Sequence, residues 1–214
     1  MLKGVDLSHH NSDSVFNQVL ETSDFIIHKL TEGKTYIDPK VYERINKARE
    51  MHKLTGVYHY ARPENNNPNE EAVHFANSIP ACTDDTMLYI LDWEGTSLHY
   101  NIAWALEWCR LVKEYTGRQP LIYASANIVK RYGNRYGLWW TAHYNKDCEN
   151  GCEHDGGVNE CITQFSNTPY DIDIFHGTKD DWSRIGFDRL YSEPKLLFSW
   201  LCENKRYTIY EEIL

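Results

Sequence analysis

The chain has 214 residues, of which 42% are hydrophobic and 25% charged, a composition that suits one domain with an ordinary apolar core. Its 22 basic and 31 acidic side chains give a formal net charge of −9, which argues against nucleic-acid binding, because that function needs a basic face. The sequence contains no run of about 18 apolar residues, so no membrane span is predicted.

Short apolar runs alternate with helical stretches along most of the chain. The predicted strands are Leu2–Ser8, Phe25–Leu30, Gly56–Ala61, Met87–Glu94, Leu121–Ser125, Leu138–Tyr144, Ile162–Ser166 and Ile172–Phe175. The predicted helices are Ser14–Glu21, Asp38–His52, Glu70–Ile79, Ile102–Tyr115 and Ile128–Tyr132.

This alternation favours parallel strands that close, or nearly close, into a barrel. Helices become sparse after Ser125, so a regular eightfold repeat is not predicted. We expect an α/β protein with an irregular TIM-like (β/α)5(β)3 barrel over residues 1–177. The remaining residues, 178–214, form a predicted C-terminal extension with a helical stretch at Leu196–Cys202 that packs on the barrel or on a partner.

The fourth predicted strand ends in two carboxylates, Asp92 and Glu94, which are separated by Trp93. Side chains at positions i and i+2 of a strand leave the same face, so the two acids point together and can perturb each other's protonation. Glycoside hydrolases commonly use such a pair of carboxyl groups, one neutral and one ionised, as their catalytic residues. The alternative is a strand end whose acids face water.

Other predicted strands also end in acids and aromatic residues, and in α/β barrels the reactive residues lie where strands end. The chain is rich in aromatic residues, with 15 Tyr, 7 Trp and 7 Phe, which favours a cleft that stacks on flat ligands such as sugar rings or bases. Residues gathered at this rim are Asp6, Glu32, Tyr58, Tyr60, Arg62, Asp92, Glu94, Tyr123, Trp140, Gln164 and Asp171.

Seven motifs occur in a fixed order along the chain. They are Gly4–His9, Thr31–Gly33, Gly56–Pro63, Leu91–Gly95, Pro120–Tyr123, Leu138–Tyr144, and Gln164–Phe165 followed by Tyr170–Phe175. In this order they resemble the family-25 glycoside hydrolases, the lysozymes that act as N-acetylmuramidases, over Leu2–Phe175. The resemblance implies a flattened, irregular β/α barrel. It also implies cleavage of the β-1,4 bond between N-acetylmuramic acid and N-acetylglucosamine in peptidoglycan, without a cofactor.

The resemblance implies that Glu94 is the general acid/base and that Asp6, Asp92 and Asp171 are the other acids of the site. We favour a retaining reaction assisted by the substrate's 2-acetamido group, with Asp92 or Asp171 orienting that group and Asp6 supporting the network; an enzyme nucleophile is the alternative. Asp173 stands where the family more often has asparagine, which leaves the division of labour between Asp171 and Asp173 open.

The expected substrate-binding residues are Glu32, Tyr58, Tyr60, Arg62, Tyr123, Trp140 and Gln164. For the aromatic members the alternative is ordinary core packing. Arg62 either clamps a charge in the cleft or pairs with an interior acid, and the clamp is favoured. His9 and His10 are expected to terminate a strand, whereas His143 suits the core as well as the site.

Six cysteines are scattered along the chain, and free thiols are the default prediction. A loop carries the pattern Cys-x3-Cys-x-His-x6-Cys at Cys148, Cys152, His154 and Cys161. This is not a standard zinc-finger spacing, so no metal is predicted; a zinc site or a disulfide in the loop are the alternatives.

The partner we expect is bacterial peptidoglycan, bound by a monomer at the cell wall. No signal peptide is visible at the start of the sequence, which suits a phage-type endolysin released by a holin or a chain whose leader was removed. Two other functions compete with this one. They are a sugar-binding module that has lost catalysis, and a metal-dependent hydrolase centred on the cysteine loop.

Overall fold

The computed structural model describes residues 1–81, 83–99, 101–144 and 160–186. The strands in these residues are Leu2–Leu7 (β1), Phe25–Glu32 (β2), Tyr36–Ile37 (β3), Leu54–Tyr60 (β4), Leu88–Asp92 (β5), Leu121–Ser125 (β6), Trp139–Ala142 (β7), Glu160–Ser166 (β8) and Ile172–Phe175 (β9). The helices are Asp13–Thr22 (α1), Val41–Glu50 (α2), Pro68–Ser78 (α3), Ile102–Thr116 (α4), Ala126–Tyr132 (α5) and Lys179–Arg184 (α6). None of the described helices is long and apolar enough to cross a membrane.

Eight of these strands form a closed barrel in the order β1-β9-β8-β7-β6-β5-β4-β2, and pairing of β1 with β2 completes the ring. The short strand β3 forms a hairpin on the outer part of β2. Neighbouring strands are parallel except at β9, which runs antiparallel to both β8 and β1. Five βα units followed by three strands confirm the predicted (β/α)5(β)3 barrel.

The barrel strands carry continuous apolar runs because both of their faces are covered. All five residues of β5 and seven of the eight in β2 are buried. The helices outside the barrel have clear end signals. Asn67 caps α3 in a capping box with Glu70, and Asn101 caps α4, which ends at Gly117 with a φ of 75°.

Helix α6 packs across one end of the barrel. The Trp182 ring lies 4.8 Å from the ring of Phe25 and 5.1 Å from that of Phe175, and its Nε1 donates a 2.9 Å hydrogen bond to Thr86 O. Phe25 begins β2 and Phe175 ends the antiparallel β9, so these contacts lie where the parallel strands start. Trp182 therefore forms a floor at the end of the barrel opposite Asp92.

Two local features differ from the sequence prediction. Helix α2 begins at Val41 instead of Asp38, because Asp38 is buried and accepts a 2.8 Å hydrogen bond from His9 N. Strand β3 was not predicted, since two residues are too few to show a period. The predicted helix at Leu196–Cys202 lies outside the described residues, so the division of the chain at residue 177 stays a prediction.

Candidate active site

A pocket opens at the end of the barrel where the parallel strands finish. Its lining is Asp6, Tyr58, Asp92, Glu94, Tyr123, Trp140, Tyr144, Gln164 and Asp171. Asp171 joins this rim because it directly precedes β9, whose reversed direction brings the start of that strand to the same end. The four acids predicted from the sequence thus share one hollow.

The chain after β5 is built to return Glu94 to the pocket. Trp93 N donates a 2.9 Å hydrogen bond to Tyr123 O, and the buried Trp93 ring stacks on Trp104 with ring centroids 5.6 Å apart. Gly95 then turns away with a φ of 57°, and a Cβ there would lie 2.7 Å from the hydroxyl of Tyr60. The alternation of side chains along β5 therefore continues past Asp92 through Trp93 to Glu94. This is why Asp92 and Glu94 line the same pocket.

Burial and mutual repulsion favour the protonated forms of these acids. Burial, and then the charge of Asp171, raises the pKa of Glu94, against a lowering effect from Lys29. Burial, followed by Glu94 and Asp6, raises the pKa of Asp92 well above its usual value. Burial and Asp171 raise the pKa of Asp6 to about 7, and burial raises that of Asp171.

Gln164 organises one side of the pocket. Its Nε2 donates a 2.6 Å hydrogen bond to Asp6 Oδ2. Its Oε1 accepts hydrogen bonds of 2.9 Å from the Tyr123 hydroxyl and 2.8 Å from the Tyr144 hydroxyl. The two hydroxyl donors fix the orientation of the amide, so its N–H group must face Asp6.

Two further aromatic residues are held below the pocket surface. Trp140 is 2% exposed, packs edge-on against Tyr123 with centroids 4.6 Å apart, and donates a 2.9 Å hydrogen bond from Nε1 to Asp173 Oδ1. Burial, followed by the charges of Asp6 and Asp92, raises the pKa of Tyr58 well above its usual value. Both rings pack in the core and also line the pocket. Core packing and substrate binding, the two interpretations of these residues, are therefore compatible.

Three predicted binding residues, Glu32, Tyr60 and Arg62, are not part of the pocket lining given above and instead form a neighbouring ion cluster. Arg62 Nε and Nη2 lie 2.7 and 2.5 Å from Glu32 Oε1, and its guanidinium lies 4.7 Å from the centre of the Tyr60 ring. Burial opposes ionisation of Glu32, but hydrogen bonds from Lys29 and Arg62 hold its pKa below the usual value. The structure therefore pairs Arg62 with an acid, which was the alternative reading of that residue.

Two residues of this region were not among the predicted binding residues. Tyr144 lines the pocket and is 56% exposed, and its place at the end of a predicted strand was the available signal. Lys29 is 8% exposed, and its Nζ lies 2.5 Å from Glu32 Oε2. A lysine inside an otherwise apolar strand was the signal for Lys29, because lysine is seldom buried without a partner.

The remaining candidates do not appear in the pocket lining. His9 Nδ1 lies 2.9 Å from Asp38 Oδ2, and the His9 ring packs on that of His10. His143 N donates to Gln164 O in the β7–β8 pairing region. Cys161 is buried, whereas Cys148, Cys152 and His154 lie outside the described residues. The described residues contain no group of three or more side chains arranged to hold a metal.

Comparison with known proteins adds four findings. A family model described as glycosyl hydrolases family 25 matches residues 5–174. The YegX protein of Escherichia coli strain K12 is 26% identical over 203 residues, which is 84% of this chain and 71% of that protein. A muramidase from Trichobolus zukalii matches with a TM-score of 0.69 and 25% identity, covering 87% of this chain and 99% of that one. A family GH25 lysozyme from Aspergillus fumigatus has the same fold, with a TM-score of 0.71, 24% identity and the same two coverages.

Proposed function

The chain belongs to family 25 of the glycosyl hydrolases, and from this premise we propose that it cleaves the β-1,4 bond between N-acetylmuramic acid and N-acetylglucosamine in peptidoglycan. The observation that carries the proposal is the position of Glu94, which shares one pocket with Asp6, Asp92 and Asp171. A muramidase among the structures with this fold supports the same assignment.

Glu94 is the proposed general acid/base. Because burial and Asp171 raise its pKa, it keeps a proton at pH values where an exposed glutamate would be ionised. It gives this proton to the glycosidic oxygen as the bond from that oxygen to C1 breaks. It later takes a proton from the water that attacks C1, which restores the acid for the next cycle.

Assistance by the substrate is the proposed route to the intermediate. The 2-acetamido oxygen of the sugar bonds to C1 as the leaving group departs, and water then opens the ring so formed, with overall retention. Asp92 Oδ1 is buried and has no hydrogen-bond partner among the described residues. An unpaired buried oxygen is costly, and the acetamido N–H would satisfy it while holding the group in place. Asp171 and Asp6 complete the acid network around this position.

The walls of the pocket supply the proposed sugar contacts. Tyr144 offers a largely exposed ring, while Tyr58, Tyr123, Trp140 and Gln164 form the more buried wall. The neighbouring cluster of Glu32, Tyr60 and Arg62 is proposed to extend the cleft beyond the pocket. Its ion pair adds polar groups that can hydrogen-bond a second sugar or the peptide of the substrate.

Digestion of purified, reduced peptidoglycan followed by mass spectrometry of the fragments tests the proposal. Fragments that end in muramic acid at the new reducing end are expected. Fragments that end in glucosamine would mean a glucosaminidase instead. The Glu94→Gln variant is the matched control, because it keeps the shape of the side chain but has no proton to give.

Family membership indicates that the substrate class is the peptidoglycan of the bacterial cell wall. We propose that the chain acts there as a monomer, with residues 1–177 as the catalytic unit and residues 178–214 as an extension. Peptidoglycan binding without fragment release by the unaltered protein would contradict the proposal and favour the sugar-binding module.

A further inference from the structure

Asp173 is a buried acid with no part in the mechanism given above. It is 0% exposed and is absent from the pocket lining, which places it behind the wall formed by Asp6 and Trp140. In the sheet it is the cross-strand partner of Gly4 in β1 and of Gln164 in β8. Asp6 lies two residues beyond Gly4 on the same face of β1, so Asp6 and Asp173 are diagonal neighbours inside the barrel.

The diagonal register brings the two carboxyl groups together, and a hydrogen bond between them lowers the pKa of Asp6 and raises that of Asp173. Asp173 Oδ1 already accepts the Trp140 N–H, and Oδ2 has no other donor among the described residues. Two ionised carboxylates have no hydrogen to place between them and repel each other, so such a contact requires a shared proton. A pair that shares one proton has a donor and an acceptor, and the surroundings decide which is which.

The surroundings assign the proton to Asp173. Asp6 lines the pocket, keeps 8% exposure and accepts the Gln164 N–H, all of which stabilise a negative charge there. Gln164 cannot reverse this contact, because two tyrosine hydroxyls fix its amide oxygen. Asp173 has no contact with the pocket, and a charge on it would be fully desolvated. Asp171, which acts on both residues, and Glu94, which acts on Asp6, are also acids and oppose a second charge.

We propose that Asp173 is a positioning residue which stays protonated at working pH and donates a hydrogen bond to the carboxylate of Asp6. The O–H group of the Asp173 carboxyl donates a hydrogen bond to Asp6, as the amide N–H of an asparagine in the same place would. The contact holds Asp6 against Gln164 and helps Asp6 to carry the charge at the base of the pocket. The importance of this contact for turnover rests on the proposed function, whereas the protonation state of Asp173 does not.

The direct test is the carboxyl titration of the protein labelled with ¹³C at aspartate Cγ, in which loss of one signal in Asp173→Asn assigns Asp173. We expect the Asp173 signal to remain that of a neutral acid while Asp6 titrates near pH 7. An Asp173 signal that titrates before that of Asp6 as pH rises would overturn the proposal. This measurement is valid whether or not the protein cleaves peptidoglycan.

A pair of variants gives the second test. Asp173→Leu removes the donor with little change in size, and we expect kcat to fall by about tenfold or more and the Asp6 titration to move to higher pH. Asp173→Asn restores a neutral donor, and we expect it to recover most of the activity and to leave the Asp6 titration within about half a pH unit of normal. If Asp173 were ionised instead, Asp173→Asn would remove a charge beside Asp6 and lower the Asp6 titration by more than about one unit.

These outcomes also separate the two proposals. If the unaltered protein releases no fragments from peptidoglycan but the titrations agree, the proposed function fails and the shared proton stands. If it releases the expected fragments but Asp173 titrates as an ordinary acid, the function stands and the inference fails. Thermal unfolding of each variant identifies a fold defect, and the titration of the unaltered protein still decides the case.

Discussion

Lys29 Nζ contacts Glu32 Oε2 at 2.5 Å across an irregularity in the β2–β4 pairing that lies between Lys29 and Thr31. The ammonium group also lies 5.0 Å from the centre of the Tyr60 ring. From this position its charge lowers the pKa values of Asp92 and Glu94, against the effect of their burial. A cation beside the pocket, Lys29, therefore lowers the pKa values of two acids within it.

Replacing Lys29 by methionine should move the alkaline limb of the pH–rate profile to higher pH. Without the cation, the pKa of Glu94 rises further, so the general acid keeps its proton over a wider range. The measurement is kcat/KM against pH on soluble peptidoglycan fragments. Lys34→Met is the matched control, because Lys34 pairs with Glu70 at an exposed site, and its profile should not move. An equal shift in both variants would show that the effect is one of net charge alone.

Glu94→Gln should lower kcat by about a hundredfold to ten-thousandfold, because the leaving oxygen loses its proton donor. Affinity for oligosaccharides should change little, since the amide keeps the size and polarity of the acid. Turnover and calorimetric binding measured on the same preparation check both statements. Substantial turnover by the variant would remove Glu94 from the role of acid.

Ionisation of Asp6 should lower stability as pH rises from about 4 to about 7, against an opposite contribution from His28, whose pKa burial lowers to about 4. Asp6 has a pKa of about 7 in the folded protein and 3.8 as its ordinary value, so the folded state holds the proton more tightly than the unfolded state does. This stabilisation is complete below pH 3.8 and is lost as pH rises through about 7. The raised pKa values of Asp92 and Asp171 act in the same direction.

Chemical unfolding at a series of pH values checks this slope. Asp6→Asn cannot ionise and should remove this contribution, whereas Asp24→Asn alters an exposed acid that bonds to Lys3 N and should not. An Asp6→Asn variant whose free energy of unfolding changes between about pH 4 and about pH 7 by the same amount as that of the unaltered protein would contradict the prediction.

Trp182→Ala should destabilise the fold by about 3–5 kcal/mol, because it leaves a large cavity in the floor and removes the hydrogen bond to Thr86. Urea unfolding provides the measurement. Val73→Ala, at a position 39% exposed on α3, should cost no more than about 0.5 kcal/mol. If Trp182→Ala lost as little stability as Val73→Ala, α6 would contribute little to the stability of the barrel.

Most of the barrel follows from the sequence because its strands are buried on both faces and its helices carry end signals. The limits of β6 and β9 agree with the prediction to the residue, and those of the other barrel strands differ by at most two residues at either end. The extent of α2 was harder to predict, because Asp38 followed by Pro39 resembles a helix start. The side chain of Asp38 instead bonds to His9, a contact that no local pattern contains.

The pocket acids were predictable because strand alternation and barrel topology bring strand ends together. The ion pairs beside the pocket were not. Glu32 reads as one more acid at a strand end, and its contacts with Lys29 and Arg62 depend on a local irregularity and on pairing with β4. Distances of that kind arise only in the folded chain, so the sequence alone could not separate a substrate contact from an ion pair.

The reversed direction of β9 also determines at which end of the barrel an attached linker would lie. Leu2 and Phe175 are cross-strand partners, so the first barrel strand begins and the last one ends on the side away from the pocket. A linker, a label or a fused module joined ahead of Leu2 would leave the entrance clear. Attachment to a bead through Met1 would accordingly orient the open mouth toward the surrounding liquid, which suits an enzyme whose substrate is an insoluble sheet.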